Sequence, residues 1–373
     1  MKIYSQEYFL RKILDCTEIE LNTALLLKHI LCEATQIPKK GGYRSIVSVK
    51  SNSVLIKLHK NLQKYFFSKL PVSVAAKGFI KGCSYADFLE EHIGHEYFLR
   101  LDIKDFFDSI TKESVIVGLD SFAEKEIVES IAELCTWNER VPQGFVTSPA
   151  ISNLIFRRLD QRIRKYCRSY QKEMKRTIFY TRYADDMLFS SIGFDFKKNK
   201  NFKRMIVHIL EENGFKCNES KTIYSRGEIS LSGYVIKEDV HLSRKKLRNI
   251  NEVIYQFDNR NCYKDREFGL DKETIDIKKI LTTLNTKALK KADGTSIQFA
   301  KVSSLVHYLA GWRSYLIQIA RVEHGNTGYD KQISRKINKI EQILDYLSEL
   351  PEEFESGSNE VVSTDKNAKN EGI

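Results

Sequence analysis

The sequence predicts an α+β fold with a central sheet, helices behind the sheet and a helical C-terminal unit. Apolar, strand-like runs occupy residues 97–103 and 178–191 near the middle of the chain, and helical spacing dominates before residue 36 and after residue 243. With 373 residues, of which 42% are hydrophobic, the chain is long enough to bury a large core and to form two or three domains.

The elements before the first central strand begin with a helix. Residues 1–35 include EIELNTALLLKHILCEA, in which apolar residues recur at a mixed spacing of three and four. Pro38 and the pair Gly41 and Gly42 then predict a basic turn, followed by a strand-like run. A second helix is predicted in VLIKLHKNLQKYFF, and the first central strand is YFLRLDI at residues 97–103.

The rest of the chain alternates helices and strands before it becomes all helical. The predicted elements are, in order, a helix over 112–136, a long basic helix after a Pro-Gln-Gly loop, strands on both sides of Ala184-Asp185-Asp186, a helix over 202–214 and two short strands within 221–236. From residue 243 to about residue 350 one helix follows another, and lysine and arginine are frequent. This order predicts a sheet with helices behind it, followed by a helical C-terminal unit.

The net charge of +11 is unevenly distributed. Residues 351–373 hold six acidic residues and two lysines, a net charge of −4, so residues 1–350 carry +15. A chain this basic indicates a polyanionic partner, most simply nucleic acid, although basic residues also serve solubility. Residues 351–373 themselves are predicted to form a flexible acidic tail.

The cysteines and the N-terminus predict a cytoplasmic protein without a membrane partner. Seven scattered cysteines include no CxxC pair, which favours a reducing compartment and disfavours a disulfide framework. The N-terminal residues are charged throughout, and no apolar run reaches membrane-spanning length. His92 and His95, with Cys83 nearby, lack the spacing of a structural zinc site, so ordinary packing is expected for them.

Three aspartates predict a metal site. The segment YTRYADDMLFS places Asp185 and Asp186 between residues that favour a buried strand, and Asp102 lies at the end of the strand at 97–103. If the two strands pair, three carboxylates converge and repel one another unless cations compensate them. Two divalent cations with oxygen ligands, as Mg²⁺ prefers, would do so and would suit phosphoryl or nucleotidyl transfer. A solvated Asp-Asp turn is the alternative, which the flanking apolar residues disfavour.

Five sequence blocks resemble the palm of reverse transcriptases. FLRLDIKDFF, VPQGFVTSPAISNLIFRRLD, YTRYADDMLFS, NESKT and LSGYVI occur in the order and spacing of that family, and they look closest to bacterial retron and related defence-associated enzymes. The resemblance covers about residues 36–320. Two departures from the retron pattern leave the subtype open: Leu231-Ser232-Gly233 replaces Val-Thr-Gly, and the Asn-Ala pair expected ahead of His92 is absent.

The resemblance implies a right-hand polymerase fold. Its expected parts are fingers over 1–95 with part of 112–147, a palm with an antiparallel sheet over 96–240, a helical thumb over 241–350 and the acidic tail at 351–373. Asp102, Asp185 and Asp186 are then expected to bind two Mg²⁺ ions. Lys221, in NESKT, resembles the lysine placed near the leaving pyrophosphate, a candidate general acid.

The resemblance also implies roles for residues that bind substrate and nucleic acid. Phe107 matches the aromatic residue that excludes a ribose 2′-hydroxyl. Core packing is the alternative role, but the alignment favours exclusion of the 2′-hydroxyl, so dNTPs are the expected substrates. The other expected nucleotide contacts are the basic finger residues Lys39 and Arg44 and the loop residues Gln143 and Gly144. The expected primer and nucleic-acid contacts are Ser232, Gly233, Arg244, Lys245 and Arg248.

The function that the resemblance implies is RNA-directed DNA synthesis in antiphage defence, with a dedicated noncoding RNA as template. A partner effector protein is a further candidate. Two alternatives stay open: template-independent or protein-primed DNA synthesis by the same metal site, and a catalytically silent RNA-binding protein or intron maturase. The intact aspartates and Lys221 disfavour a silent protein. No nuclease motif is evident, so no RNase H activity is expected.

Overall fold

A computed structural model describes residues 2–39, 42–174, 176–258, 277–287, 289–290, 295–320 and 328–349. The chain divides into two compact units, Met1–Ser243 and Arg244–Ile373. The expected acidic tail at 351–373 lies outside the described residues.

Helices make up much of the described part of the first unit. They are α1 (Gln6–Tyr8), α2 (Glu18–Leu26), α3 (Lys28–Leu31), α4 (Val54–Tyr65), α5 (Tyr85–Glu90), α6 (Lys112–Leu119), α7 (Lys125–Cys135), α8 (Ser148–Met174) and α9 (Lys200–Glu211), with a π-helical segment at Phe9–Leu14. Side-chain caps fix several of their starts. Thr17 forms a capping box with Glu20 at α2, and Ser84 forms one with Asp87 at α5.

The strands in the described part of the first unit form three sheets. They are β1 (Cys32–Lys39), β2 (Gly42–Val49), β3 (Tyr97–Lys104), β4 (Phe179–Tyr183), β5 (Asp186–Ser191), β6 (Lys216–Cys217), β7 (Ile223–Arg226), β8 (Ile229–Leu231), β9 (Tyr234–Ile236) and β10 (Val240–Leu242). β1 and β2 make a hairpin, and β8, β9 and β10 make a small antiparallel sheet. The other five strands form the central sheet.

The central sheet is antiparallel and is built around β3. One edge of β3 pairs with β5, which pairs in turn with β4, and its other edge pairs with β7 and β6. β3 and β5 are buried along most of their length, which explains their nearly continuous apolar sequences. The hydrophobic core contains Leu99 and Leu101 of β3, Phe189 of β5 and Phe156 of α8.

The described part of the second unit is mainly helical. Its helices are α10 (Arg244–Asp258), α11 (Ile277–Thr286), α12 (Val302–Ala320) and α13 (Gly328–Ser348). Buried residues recur along one side of each of α10, α11 and α12, such as Leu247, Ile250 and Ile254 in α10, as an amphipathic helix requires.

The structure corrects three details of the predicted elements. The first helical region ends at Leu31, because Cys32–Lys39 pairs along its whole length with β2, and this pairing overrides the local helical preference. The helix expected over 112–136 is two helices, since the backbone of Phe122 and Glu124 bonds to Ile3 between them. The region 221–236 holds three strands rather than two.

None of the helices in the described ranges is both long enough and apolar enough to cross a membrane.

Candidate active site

The central sheet brings the three predicted aspartates together. Asp102 of β3 lies directly opposite Asp186 of β5 in the antiparallel register. Asp185 immediately precedes Asp186 in the turn between β4 and β5, and its carbonyl oxygen accepts a hydrogen bond of 3.0 Å from the amide of Ile103. The strand pairing expected from the sequence is therefore confirmed.

The turn that carries Asp185 has an unusual backbone. Ala184 has a φ of +55°, in the left-handed region that non-glycine residues rarely adopt. It connects Tyr183, the last residue of β4, to the two aspartates. The backbone at Ala184 thus determines the direction in which the chain presents Asp185 and Asp186.

Two cations contact two of the three carboxylates. Arg100 precedes Asp102 by two residues on β3, and its Nε donates to Asp186 Oδ1 at 2.7 Å while Nη2 pairs with the same oxygen. A second approach joins Arg100 Nη2 and Asp102 Oδ2 at 3.7 Å. Lys221 Nζ donates to both carboxylate oxygens of Asp102 at 3.0 Å. Lys221, predicted from NESKT, therefore lies at the site, whereas sequence reasoning missed Arg100.

The acids lie in a site that is largely shielded from solvent. Asp102 is only 3% exposed. Burial raises the pKa of Asp185, and it raises the pKa of Asp186 to about 6 against the opposing effect of Arg100. The two neighbouring acids add to the increase for Asp186. Because the raised pKa values mean that the ionised carboxylates are disfavoured, an added cation would stabilise them.

The donor set suits Mg²⁺, because it consists of carboxylate oxygens on adjacent strands. As the side chains lie, however, Arg100 and Lys221 hold two of the three carboxylates. Within the described residues, no group of three His, Cys, Asp or Glu side chains surrounds a common point as metal ligands would. The chemistry of the residues therefore fits a metal, and Asp102 can serve as a ligand once Lys221 releases the two oxygens that it contacts.

An aromatic cluster lies beside the aspartates. Phe107 is partly buried, and its ring centroid is 6.1 Å from that of Phe79, which lies 6.5 Å from Tyr183. Phe79 is 46% exposed and has a φ of +62°. A bulky residue with this backbone conformation carries strain, which often marks a functional position. Sequence reasoning missed Phe79, because an isolated aromatic residue in a loop is common.

The structure brings the loop residues Gln143 and Gly144 against β2, the strand that carries Arg44. The amide of Val47 in β2 donates to the carbonyl of Gln143 at 2.8 Å. Gly144 has a φ of +120°, and a Cβ atom there would lie 2.6 Å from the Val47 carbonyl oxygen. Arg44 is exposed on β2 and forms no ion pair with a residue that the structure describes. The side chain of Lys39 lies outside the described part of the chain.

The predicted primer-contacting residues form the turn between β8 and β9. Ser232 and Gly233 have φ values of +49° and +86°, as a two-residue hairpin turn of type I′ requires. The ring of Tyr234, the next residue, lies 5.3 Å from Tyr85, whose ring lies 4.9 Å from Tyr183. Tyrosine contacts therefore link this turn to the strand that precedes the aspartates.

In the second unit, Arg244, Lys245 and Arg248 are exposed near the start of α10. Lys246 between them is partly buried, and its Nζ lies 4.4 Å from the centre of the Tyr315 ring. The side chains of Arg244, Lys245 and Arg248 are therefore open to solvent, whereas Lys246 packs within the unit.

His92 and His95 pack in the interior, as expected. His92 bonds through Nδ1 to Ser190 Oγ at 2.5 Å and through Nε2 to Thr181 Oγ1 at 2.7 Å, and His95 Nδ1 lies 2.6 Å from the same Ser190 oxygen. Burial lowers the pKa of His92 to about 3, so the imidazole is neutral in the folded protein. The network joins the segment after α5 to both strands of the β4–β5 hairpin.

Comparison with known proteins finds a reverse transcriptase family and several retron reverse transcriptases that are similar to this chain. The profile of the family described as reverse transcriptase (RNA-dependent DNA polymerase) matches residues 37–236. The retron Mx65 reverse transcriptase of Myxococcus xanthus is 31% identical over 242 residues, which cover 59% of this chain and 54% of that protein. The retron Ec86 and Ec73 reverse transcriptases of Escherichia coli are 30% and 32% identical, cover 59% and 55% of this chain, and are each covered over 68% of their length.

The chain thus spans about half the length of the first of these relatives and about two thirds of the other two. Among solved structures, telomerase from Candida albicans in complex with a fragment of telomeric RNA matches 86% of this chain and 66% of that chain. Its sequence identity is 13% and its TM-score is 0.42, too low to support an inference.

Proposed function

The chain belongs to the reverse transcriptase family, among its retron-type bacterial members, and on this basis we propose that it is an RNA-directed DNA polymerase that extends a primer 3′-hydroxyl with dNTPs. The observation that carries the proposal is the cross-strand pairing of Asp102 with Asp186, with Asp185 in the adjoining turn. Three acids at one point of a sheet suit a reaction in which negative charge must be held by cations.

Asp102, Asp185 and Asp186 would hold two Mg²⁺ ions. When bound, these ions would assist attack by the primer hydroxyl and neutralise negative charge on the triphosphate and the leaving pyrophosphate. Lys221 is 53% exposed and already lies at Asp102. Once released from Asp102, its ammonium group is suited to donate a proton to the leaving pyrophosphate.

The residues around the aspartates would select and orient the nucleotide. Phe107 would exclude a ribose 2′-hydroxyl, supported by its contact with Phe79. Gln143 and Gly144 would shape the pocket over the base and sugar, held in place by β2. Lys39 and Arg44 would contact the triphosphate, for which the exposed Arg44 guanidinium offers a planar fork of donors.

Nucleic-acid contacts would come from both units. Ser232 and Gly233 would contact the primer end. The exposed Arg244, Lys245 and Arg248 would contact phosphates of the duplex. The corresponding assignment is fingers at 1–95 with part of 112–147, palm at 96–240 and thumb at 241–350.

The biological partners are proposed from the resemblance to retron enzymes. A dedicated noncoding RNA would serve as template, the product would be its complementary DNA, and an effector protein would act with them in antiphage defence. The cytoplasmic location expected from the sequence stays a prediction.

The nucleic acid that copurifies with the protein tests this function. The full-length protein is purified from cells beside an Asp185→Ala/Asp186→Ala variant, and the bound RNA and DNA are both sequenced. We expect one structured RNA with both proteins, and DNA complementary to it with the wild type alone. The same preparations are assayed with Mg²⁺, each dNTP and a primed RNA template.

Three outcomes are distinguishable. Complementary DNA that depends on the two aspartates supports templated synthesis. A repeat or homopolymer without complement in the bound RNA would instead establish template-independent synthesis. Absence of any DNA product in both cells and assay would contradict the proposed enzyme and favour an RNA-binding role.

A further inference from the structure

Arg182 carries a charge in the interior of the first unit, close to the aspartates. Both Arg182, in β4, and Asp160, in α8, have side chains with 0% exposure. Arg182 Nε and Nη2 donate to Asp160 Oδ1 and Oδ2 at 3.0 Å and 2.9 Å, and the Phe156 ring centre lies 4.5 Å from Cζ. Removing two charges from water costs free energy, and apolar residues of similar size in their place often give a fold of equal or greater stability. The pair is therefore poorly explained by stability alone.

The remaining guanidinium hydrogen bonds point toward the turn that presents the aspartates. Arg182 Nη1 donates to the carbonyl oxygen of Ala184 at 3.1 Å. Ala184 is the residue with the left-handed backbone, and it directly precedes Asp185. Such a conformation is energetically unfavourable and persists only when its surroundings hold it. Arg182 supplies one such constraint from within the protein.

Asn153 of α8 extends the same network to the other side of the turn. Arg182 Nη2 donates to Asn153 Oδ1 at 3.2 Å, and Asn153 Nδ2 donates to the carbonyl oxygen of Gly78 at 2.9 Å. Gly78 packs so closely on the turn that a Cβ atom would lie 2.6 Å from the amide nitrogen of Ala184. The turn is thus held between the guanidinium and the Gly78 backbone.

The backbone of Arg182 binds the segment around Gly78 directly. Its amide donates to the carbonyl of Ala75 at 2.7 Å, and its carbonyl accepts from the amide of Lys77 at 2.8 Å. Phe79, which contacts Phe107, follows Gly78 in this segment. One buried residue therefore connects the aspartate turn with the loop that supports the aromatic cluster.

We propose that the Arg182–Asp160 ion pair, together with Asn153, positions the Ala184-Asp185 turn and so fixes where the carboxylates of Asp185 and Asp186 lie for metal binding and nucleotide transfer. Arg182 touches no reacting atom in this arrangement and is a positioning residue. The inference rests on the proposed polymerase function. Sequence reasoning missed it because the partner of Arg182 is 22 residues away on another element.

The test replaces the pair by apolar residues. Tyr180 donates its hydroxyl to Asp160 Oδ1 at 2.8 Å, so the variant Arg182→Met/Asp160→Leu/Tyr180→Phe removes the ion pair without leaving this donor unpaired. Its urea midpoint, its kcat and KM for dNTP, and its affinity for Mn²⁺ by electron paramagnetic resonance without nucleic acid are compared with the wild type. A second variant, Arg182→Lys, keeps Asp160 paired but loses the fork that also reaches Ala184.

If the pair positions the turn, the triple variant unfolds at about the wild-type urea concentration but binds Mn²⁺ more weakly. Its kcat falls at least about tenfold with a smaller change in KM, because small displacements of reacting groups cost up to about 10²-fold in rate. The Arg182→Lys variant also loses Mn²⁺ affinity and kcat. A packing role predicts instead that a folded variant keeps both its Mn²⁺ affinity and its kcat.

Either folded variant with wild-type Mn²⁺ affinity and kcat overturns the inference. If both variants are unfolded under assay conditions, the pair acts on folding rather than on position, and the inference is likewise overturned. If the wild type extends no primer, the polymerase proposal fails, and the Mn²⁺ measurement still tests the positioning role by itself.

Discussion

At the scale of single residues, Phe107 offers a direct test of substrate choice. Replacing its ring by the smaller side chain of Phe107→Val removes the proposed barrier to a 2′-hydroxyl. We expect the ratio of kcat/KM for a dNTP to that for the matching rNTP to fall at least about tenfold, a difference of about 1.4 kcal/mol. Single-nucleotide extension measures both values.

The adjacent Phe106 provides the control for this change. Phe106 is 5% exposed and packs against Phe156 and Phe215 in the core. Phe106→Leu should therefore lower the stability while the sugar preference stays as in the wild type. Equal loss of preference in both variants would assign Phe107 to packing alone.

His92 predicts a pH dependence of stability. Burial lowers the pKa of His92 to about 3, with smaller contributions in the same direction from His95 and Lys77. The unfolded chain has a histidine pKa of about 6.5, so between these values it binds a proton that the folded chain lacks. The free energy of unfolding should therefore fall as the pH drops from about 6.5, by up to about 1.4 kcal/mol per pH unit.

The variant His92→Gln isolates this contribution. Its stability should depend less steeply on pH between about 6.5 and 4.5 than that of the wild type. Urea unfolding at several pH values gives the two slopes, with circular dichroism to verify that the variant is folded. His59, whose pKa burial lowers to about 4, contributes a similar slope in both proteins. Identical slopes for wild type and variant would contradict the prediction.

At the scale of elements, Gly144 connects the loop before α8 to β2. Its φ is +120°, and a Cβ atom would lie 2.6 Å from the Val47 carbonyl oxygen, which leaves no room for a side chain. Gly144→Ala should lower the free energy of unfolding by roughly 1–3 kcal/mol through backbone strain and displacement of the loop. It should also raise KM for dNTPs, because the neighbouring Gln143 is held by a hydrogen bond from the amide of the same residue, Val47.

Gly82 is the matched control for the backbone strain. It also has a positive φ, +84°, but no atom lies within 4 Å of where its Cβ would be. Gly82→Ala should thus show the cost of the backbone conformation with little effect on KM. If Gly82→Ala and Gly144→Ala change KM equally, the contact with Val47 has no special role in nucleotide binding.

The elements differ in how far the sequence predicts them. Asp102, Asp185 and Asp186 are visible because acids interrupt strands that are otherwise apolar, and antiparallel pairing of those strands then brings them together. Arg100 and Arg182 are equally unusual in such strands, but their carboxylate partners are 86 and 22 residues away. Only the fold reveals these pairs. β1 differs from these pairs, because its partner β2 follows it directly in a hairpin, and this pairing outweighs a sequence with helical character.

At the scale of the whole molecule, the net charge of +11 predicts salt-dependent binding of nucleic acid. The variant Arg244→Gln/Lys245→Gln/Arg248→Gln removes three exposed cations from α10. Each lost phosphate contact should reduce the slope of log affinity against log salt by about 0.9, so the slope should fall by up to about 3. Fluorescence anisotropy with a primed RNA template at several salt concentrations measures it.

A second triple variant separates local contacts from the overall charge. Lys197→Gln/Lys198→Gln/Lys200→Gln removes the same charge from exposed positions of the first unit. A contact surface on α10 predicts a clearly smaller slope only for the α10 variant. Equal reductions would show that total charge, rather than these three residues, determines the affinity.

The salt bridge between Arg100 and Asp186 also has a consequence for folding. Arg100 and Asp102 lie two residues apart on β3 and therefore on the same face of the sheet. A slip of one residue between β3 and β5 would turn both side chains to the opposite face and separate Arg100 from Asp186. A one-residue slip therefore loses this neutralisation, so the salt bridge favours the native alignment over that slip before any metal ion binds.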